Sequence, residues 1–403
     1  MRKFNYQAKD TATNKTVKAT VQAETERDAA KLLLAQGFKP IDIKEVDVKS
    51  NFLDRLTNRI TVKDKVVFTR QLATLIGAGL PLAQSLRSLV DQTQNSRLKG
   101  IIQEIIVSVE GGASFHTALA KHPEVFDKLF LALVAAGEVS GTLDESLQHI
   151  AAQQEKDAQI MSRIRGALTY PIIVLFVILG VLIFMLVTVV PQVAKLYESL
   201  HKTLPWITQA IVAASNFVTH YWYIVLIVVA VLGYAASQYL RTEGGQRTLD
   251  VFKLNVPLFK GMFRRLYMAR LNRTGETLLR SGVSMLDMLG IASDAVSNSV
   301  ISDAIMRAAD KVKGGKDLST ALGAEEYITP LVPQMISIGE KSGKIDEMMG
   351  KAAKIYEDEL DEEIRTISTA IEPILMVVLA IVAGGMVAAI LLPIYSLVNT
   401  MNI

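Results

Sequence analysis

The sequence G-E-V-S-G over residues 137–141 returns as G-E-K-S-G over residues 339–343, and this repeated stretch decides the fold. Each copy is followed by a long run of helix-forming residues, then by Pro171 or Pro373, and then by a long apolar stretch. The same landmarks in the same order at nearly constant spacing indicate an internal duplication. The chain therefore contains two copies of one helical domain, each leading directly into a possible membrane span.

Glycines divide each copy into helices. Gly79 falls on Gly282, and the Gly-Gly pair at 111–112 falls on the pair at 314–315. Apolar residues between these breaks recur at helical spacing. Thr142 and Glu145 have the spacing of a capping box, which predicts that the long helix of the first copy begins here. We expect mainly α structure, with a compact bundle of about six helices in each copy.

The composition is that of a membrane protein: half of the residues are hydrophobic, and the mean hydropathy is +0.30. Three stretches that lack acidic and basic residues are long enough to cross a bilayer, at about 172–190, 224–240 and 374–392. The aromatic cluster Tyr221-Trp222-Tyr223 is typical of the headgroup level. It therefore predicts that the apolar segment 206–218 lies at the outer interface, ahead of the second span.

Orientation follows from the basic residues that flank the spans. The segment 241–270 carries seven of them against Glu243 and Asp250: Arg241, Arg247, Lys253, Lys260, Arg264, Arg265 and Arg270. The loop between the first two spans has only Lys195 and Lys202, and the N-terminus lacks the apolar core of a signal peptide. We expect a multi-pass membrane protein with a cytoplasmic N-terminus and an external or periplasmic C-terminus.

The predicted organisation begins with a small mixed α/β domain. Strands are expected near Phe4–Ala8, Thr16–Val21 and Pro40–Val46, and a helix over Glu24–Gln36. The predicted divisions are a domain at 1–50, a linker at 51–60, the first bundle at 61–165, two spans with their external loop at 166–240, a basic cytoplasmic connector at 241–270, the second bundle at 271–367, the third span at 374–392 and an external tail at 393–403.

Two copies of G-E-x-S-G, each followed by a long helix, a proline and a span, resemble the platform proteins of type II secretion and type IV pilus systems. The resemblance covers nearly the whole chain. It implies a platform in the bacterial inner (cytoplasmic) membrane that couples a cytoplasmic hexameric assembly ATPase to insertion of pilin or pseudopilin subunits into a filament. It also implies other inner-membrane assembly proteins and the lipid bilayer as partners. One departure is Lys344, which stands where the first copy has Thr142, so the second helix must be capped differently.

The sequence contains no recognisable catalytic, nucleotide-binding or metal-binding motif. With no cysteine, the chain has no thiol nucleophile and no cysteine-based metal site. Residues 339–344 superficially resemble a phosphate-binding loop but have one residue too few between the glycines. The five histidines lack ligand spacing, and the net charge of +3 does not favour direct nucleic-acid binding. We expect no enzyme activity, cofactor or metal.

Glu138 and Gly141, with Glu340 and Gly343, are the most specific candidate residues. Each glutamate could contact a partner at an exposed corner between helices. Alternatively, each could accept hydrogen bonds from amides at the start of the following helix and so fix the corner. The second interpretation is favoured for either residue alone.

Three further features are candidates for contacts. Ala380, Gly384, Gly385 and Ala388 have the small-residue spacing that lets membrane helices pack closely, within this chain or against a partner. Glu372, just before the third span, could contact a pilin at the membrane edge or reach towards water. The acidic segment, residues 357–363, has the composition of a solvated helix face.

A small membrane transporter or channel subunit is the competing interpretation. Transporters place ionisable groups inside their spans, and the three predicted spans have none. The duplication also predicts a homo-oligomer, of a size that the sequence leaves open.

Overall fold

The computed structural model describes residues 2–10, 16–23, 30, 38–45, 59–199 and 206–401. The chain divides into two compact units, at residues 1–59 and 60–403. The larger unit contains both copies of the repeat and the three apolar helices.

The smaller unit contains an antiparallel sheet of three strands in the order β2-β1-β3. They are β1 (Arg2–Asp10), β2 (Thr16–Ala23) and β3 (Phe38–Glu45). Central β1 pairs Tyr6 with Ala19 on one side and with Ile43 on the other. Strands thus form where alternation predicted them. The predicted helix over Glu24–Gln36 lies outside the described residues, except for Ala30.

The first copy of the repeat folds into helices that end where glycines permit a left-handed turn, as at Gly79 and Gly112. Helix α1 begins with a capping box between Thr61 and Asp64. The fully buried side chains of Leu72, Leu86 and others pack in the centre of the bundle. The helices are α1 (Val62–Gly77), α2 (Leu82–Gln92), α3 (Ser96–Glu110), α4 (Phe115–Ala120), α5 (Lys128–Ser140) and α6 (Leu143–Phe184).

The second copy repeats this order of helices. They are α10 (Lys260–Arg280), α11 (Met285–Ala295), α12 (Ser299–Lys313), α13 (Leu318–Gly323), α14 (Leu331–Ser342) and α15 (Ile345–Met401). The predicted boundary at residue 270 falls inside α10, whose Leu266, Tyr267 and Met268 are buried. Helix α10 therefore includes part of the basic segment 241–270, because an apolar helix face runs through it.

Among the described residues, three helices are long and apolar enough to cross a membrane, within residues Leu143–Lys195, Thr208–Tyr239 and Ile345–Ala388. Helix α6 passes through Pro171 without a break and continues into a π-helical segment, Met185–Val189, and α7 (Val190–Ser199). Helix α15 is continuous over 57 residues. In both copies, one helix therefore runs from the bundle into an apolar segment without a joint.

The second apolar helix, α8 (Trp206–Tyr239), is kinked at Tyr221, where the backbone leaves the helical region. This kink lies between the predicted interface segment, 206–218, and the predicted span. The earlier segment packs against the first apolar helix, since the Ser215 hydroxyl donates to the Leu186 carbonyl at 2.5 Å. A short helix, α9 (Glu243–Asn255), then connects α8 to the second copy.

Candidate functional site: the two G-E-x-S-G corners and the ion-pair cluster beside them

Each G-E-x-S-G motif forms the corner where one helix ends and the long helix of its copy begins. Gly141 ends α5 with a φ of 76°, and Gly343 ends α14 with a φ of 69°. Both values lie in the left-handed region that glycine adopts without strain. The Lys344 N–H donates to the Gly339 carbonyl at 2.9 Å and closes the second corner. The last glycine of the motif therefore reverses the chain direction.

The first glycine of the motif allows close approach of the long helix. A Cβ atom built on Gly137 would lie 2.5 Å from Ser146 Oγ and 3.1 Å from the Leu143 Cα. One built on Gly339 would lie 2.7 Å from the Ile345 Cα. These distances leave no space for a side chain, so the first turn of α6 or α15 packs directly on glycine backbone.

The glutamate of the motif binds the start of a short helix. Glu138 accepts the Phe115 N–H at 2.5 Å and the His116 N–H at 2.8 Å, at the N-terminus of α4. Glu340 accepts the Ser319 N–H at 3.2 Å and the Ser319 hydroxyl at 2.5 Å, at the start of α13. The carboxylates satisfy amides that have no acceptor within their own helix. The sequence predicts these bonds at the start of the following helix, whereas the structure has them at the preceding short helix.

The predicted capping box at Thr142 is wrong. Thr142 has φ and ψ of −108° and 42°, and its side chain makes no cap hydrogen bond. The reason is the left-handed Gly141 beside it, which turns the Thr142 hydroxyl towards the Ser140 hydroxyl, at 2.7 Å. Asp144 and Glu145 in the first turn still favour the helix start through the helix dipole.

The variable position of the motif faces solvent in both copies. Val139 is 91% exposed, and Lys341 at the equivalent position is also exposed. Because this position differs between the copies, the repeat itself does not mark it as a candidate residue. At this position the corner therefore presents a different side chain to solvent in each copy.

The acidic segment, residues 357–363, is only in part a solvated face. Glu357 is 6% exposed and pairs with Arg273 at 2.9 Å and Lys156 at 3.2 Å. Arg265 pairs with Glu359 and Glu363, and Arg163 pairs with Asp361. The carboxylates thus join α15 to α10 and to α6, the long helix of the first copy. We call these ion pairs the inter-helix cluster.

One ion pair of this cluster is itself repeated. Arg70 and Glu155 pair between α1 and α6 in the same places that Arg273 and Glu357 occupy in the second copy. The first pair is partly exposed, whereas the second is largely buried and also receives Lys156 from the first copy. The self-comparison of the sequence could have found this pair, since both members keep the repeat spacing.

A cavity of about 550 Å³ lies between the two copies, next to this cluster. Asp157 of α6 lines it from the first copy, and Arg270 of α10 lines it from the second. Burial raises the pKa of Asp157 above its usual range, although Arg270 opposes the rise. The described residues contain no group of acidic or histidine side chains arranged to hold a metal ion.

The candidate packing residues of the third span have open surroundings in this single chain. Ala380, Gly384 and Gly385 are exposed, Ala388 is partly buried, and a Cβ on either glycine would meet no atom within 4 Å. Gly385 lines a small apolar cavity that is shared with the first and second apolar helices. Glu372, at the start of this apolar segment, is exposed.

Comparison with known proteins matches this architecture over most of its length. The family model described as type II secretion system (T2SS), protein F matches residues 68–191 and again 276–393. The model of the type II secretion system protein F N-terminal domain matches residues 1–44. The two matches of the first model follow the internal duplication.

Individual relatives come from both kinds of system. The chain is 36% identical to the type IV pilus assembly protein PilC of Thermus thermophilus, over 99% of each chain. It is 37% identical to PilC of Myxococcus xanthus, over 92% of this chain and 89% of the relative. It is 35% identical to type II secretion system protein F of Xanthomonas campestris pv. campestris, over 99% of each. The chain belongs to the type II secretion system protein F family, as its duplicated architecture, both family-model matches and its relatives over nearly the whole chain show.

Proposed function

We propose that this chain is the inner-membrane platform of a type IV pilus or type II secretion machine and couples a cytoplasmic assembly ATPase to insertion of pilin subunits. Support comes from family membership, since full-length relatives are named as type IV pilus assembly or type II secretion proteins. The role is structural, and the energy for it comes from the ATPase. The basic residues around 241–270 favour cytoplasmic bundles and an external C-terminus.

The continuity of the long helices carries this proposal. Helices α6 and α15 each begin at a G-E-x-S-G corner and continue without a joint into a possible span. The pairs Arg163–Asp361 and Lys156–Glu357 hold the two helices together between the corners and the apolar segments. A displacement of either bundle is therefore transmitted to the spans rather than absorbed in a loop.

Several finer assignments belong to this proposal. Each copy is a six-helix bundle, behind an N-terminal mixed α/β domain, with the ATPase bound on the cytoplasmic side. The exposed corner residues Val139 and Lys341 are candidate contacts with it. The exposed stripe around Gly384 would pack against another span, and Glu372 would meet a pilin at the membrane edge. The platform would act as a homo-oligomer together with other inner-membrane assembly proteins.

The test uses the Arg163–Asp361 pair. In the host lacking its own copy of the gene, Arg163→Asp should reduce filament assembly, while co-purification of the ATPase with the chain is retained. The double variant Arg163→Asp with Asp361→Arg should recover assembly, because the pair is restored with its charges exchanged. Full assembly by the single variant would refute transmission through the paired helices. A gene deletion that left filaments intact would refute the platform function itself.

A further inference from the structure

Helix α9 begins almost directly at the end of the second apolar helix. Helix α8 ends at Tyr239, and the Thr242 N–H donates to the Tyr239 carbonyl at 3.0 Å. The Thr242 hydroxyl then caps α9 by accepting the Gly245 N–H at 3.1 Å. Three connecting residues span at most about 10 Å. The start of α9 therefore lies at the level where the apolar helix leaves the membrane.

One side of α9 is attached to the second copy. Asp250 and Leu254 are buried, and Asp250 accepts the Ser299 N–H at the start of α12, at 2.9 Å. Arg247 pairs with Asp303 of α12 at 3.2 Å. Residues 247, 250 and 254 share one side of a helix of 3.6 residues per turn. This side fixes α9 to the bundle.

The opposite side of α9 faces the end of the apolar helix. Gly245, Leu249 and Phe252 share that side, at spacings of four and three residues. A Cβ atom built on Gly245 would lie 1.9 Å from the Tyr239 carbonyl oxygen, so this side touches the last residue of α8. Yet Leu249 is 37% exposed and Phe252 is 65% exposed. Apolar side chains are thus directed to the same side as the emerging span.

We propose that α9 lies in the headgroup region of the membrane surface, with Leu249 and Phe252 inserted at the acyl boundary, and holds the second bundle against the bilayer. Amphipathic helices bind membranes in this way, with one apolar face inserted. The exposed Arg241 in the connecting turn is placed to meet the phosphates of anionic lipids. The inference rests on the proposed orientation, in which Tyr239 marks the cytoplasmic end of the span.

The chain has no cysteine, so single-cysteine variants can be labelled at one site each. The full chain is reconstituted into liposomes of phosphatidylethanolamine and phosphatidylglycerol, with a bimane label at Leu249→Cys or Phe252→Cys. Lipids brominated near the headgroup quench a label in the membrane, and iodide quenches one in water. Leu232→Cys, on the exposed surface of the apolar helix, is the membrane reference, and Ile338→Cys, an exposed apolar residue of α14, is the aqueous reference.

Labels at Leu249 and Phe252 should be quenched by brominated lipid several-fold more than the label at Ile338, and protected from iodide. Arg247→Cys, on the opposite side of the same helix, should resemble Ile338. Aqueous behaviour at both Leu249 and Phe252, with Leu232 in the lipid, would overturn the proposal but leave the platform function untouched. Protection from iodide without quenching by lipid would also overturn it, because a protein contact would then cover this face.

Discussion

Replacing Glu138 by alanine tests whether the G-E-x-S-G corner is held by its glutamate. The change removes the acceptor of the Phe115 and His116 N–H groups, at 2.5 and 2.8 Å. A hydrogen bond to a charged group contributes about 1.5–3 kcal/mol. Because Glu138 is only partly buried, water can replace some of this contribution. We expect the two bonds together to stabilise the fold by about 2–3 kcal/mol.

The variant Glu138→Gln separates charge from hydrogen bonding. Its amide oxygen still accepts one N–H, but the attraction of the negative charge to the helix N-terminus is lost. That charge contributes roughly 0.3–1 kcal/mol. Glu138→Gln loses one of the two bonds and the charge, and should therefore be destabilised by about 1.5–2 kcal/mol, less than the alanine variant.

The assay is thermal unfolding of the full chain in detergent, followed by circular dichroism. A loss of 1 kcal/mol lowers the melting temperature of a domain of this class by about 2–4 °C. The alanine variant should therefore melt about 5 °C or more below the parent. The control is Asp358→Ala, which removes an exposed acid of α15 and should leave the melting temperature nearly unchanged.

Equal melting temperatures for Glu138→Ala and Asp358→Ala would refute the corner interpretation. If that result came with loss of ATPase co-purification, the main role of Glu138 would be contact with a partner. A destabilised variant that still binds the ATPase would support the internal role.

Three further predictions use internal controls of the same chain. Gly339→Ala should lower the melting temperature by a few degrees because its Cβ would overlap backbone, whereas Gly100→Ala, with no atom within 4 Å, should be stabilised by up to about 1 kcal/mol. Arg273→Ala should lower the free energy of unfolding by about 3 kcal/mol, because it leaves the buried Glu357 carboxylate poorly paired. Arg70→Ala, at the equivalent but more exposed pair, should lower it by less than about 1 kcal/mol. Denaturant titration measures both. Asp157→Asn should raise the melting temperature at neutral pH. The raised pKa of Asp157 means that the folded state holds this proton more tightly than the unfolded state, so the protein loses stability as the pH rises. The gain should vanish below about pH 4, and a gain that is independent of pH would contradict this explanation.

Local pattern was enough to predict much of this fold. Glycine positions such as Gly79 and Gly141 mark helix ends, because only glycine adopts the left-handed backbone there without strain. The apolar stretches show the three candidate spans, because a bilayer requires long uncharged helices. The duplication added the order of helices, since each copy supports the interpretation of the other.

Contacts between distant segments could not be predicted in the same way. The acidic segment has the composition of a solvated face, and its cations lie on α6 and α10, far away in sequence. Helix α10 begins inside the predicted basic connector, since buried Leu266, Tyr267 and Met268 lie among its basic residues. The glutamate at the corner was assigned to the wrong helix because its acceptor geometry depends on how α4 folds back, which no local spacing records.

The two copies divide into residues that build the corner and residues that can differ. The glycines and glutamate of the motif are repeated because each meets a backbone constraint that is the same in both copies: close approach, a left-handed turn and unsatisfied amides. Val139 and Lys341 carry no such constraint, and they are exposed. Because the corner sets the direction of the long helix, its repetition gives α6 and α15 the same geometry at their starts. The differing surface residues leave each copy able to contact a different partner, as the proposed platform function would require.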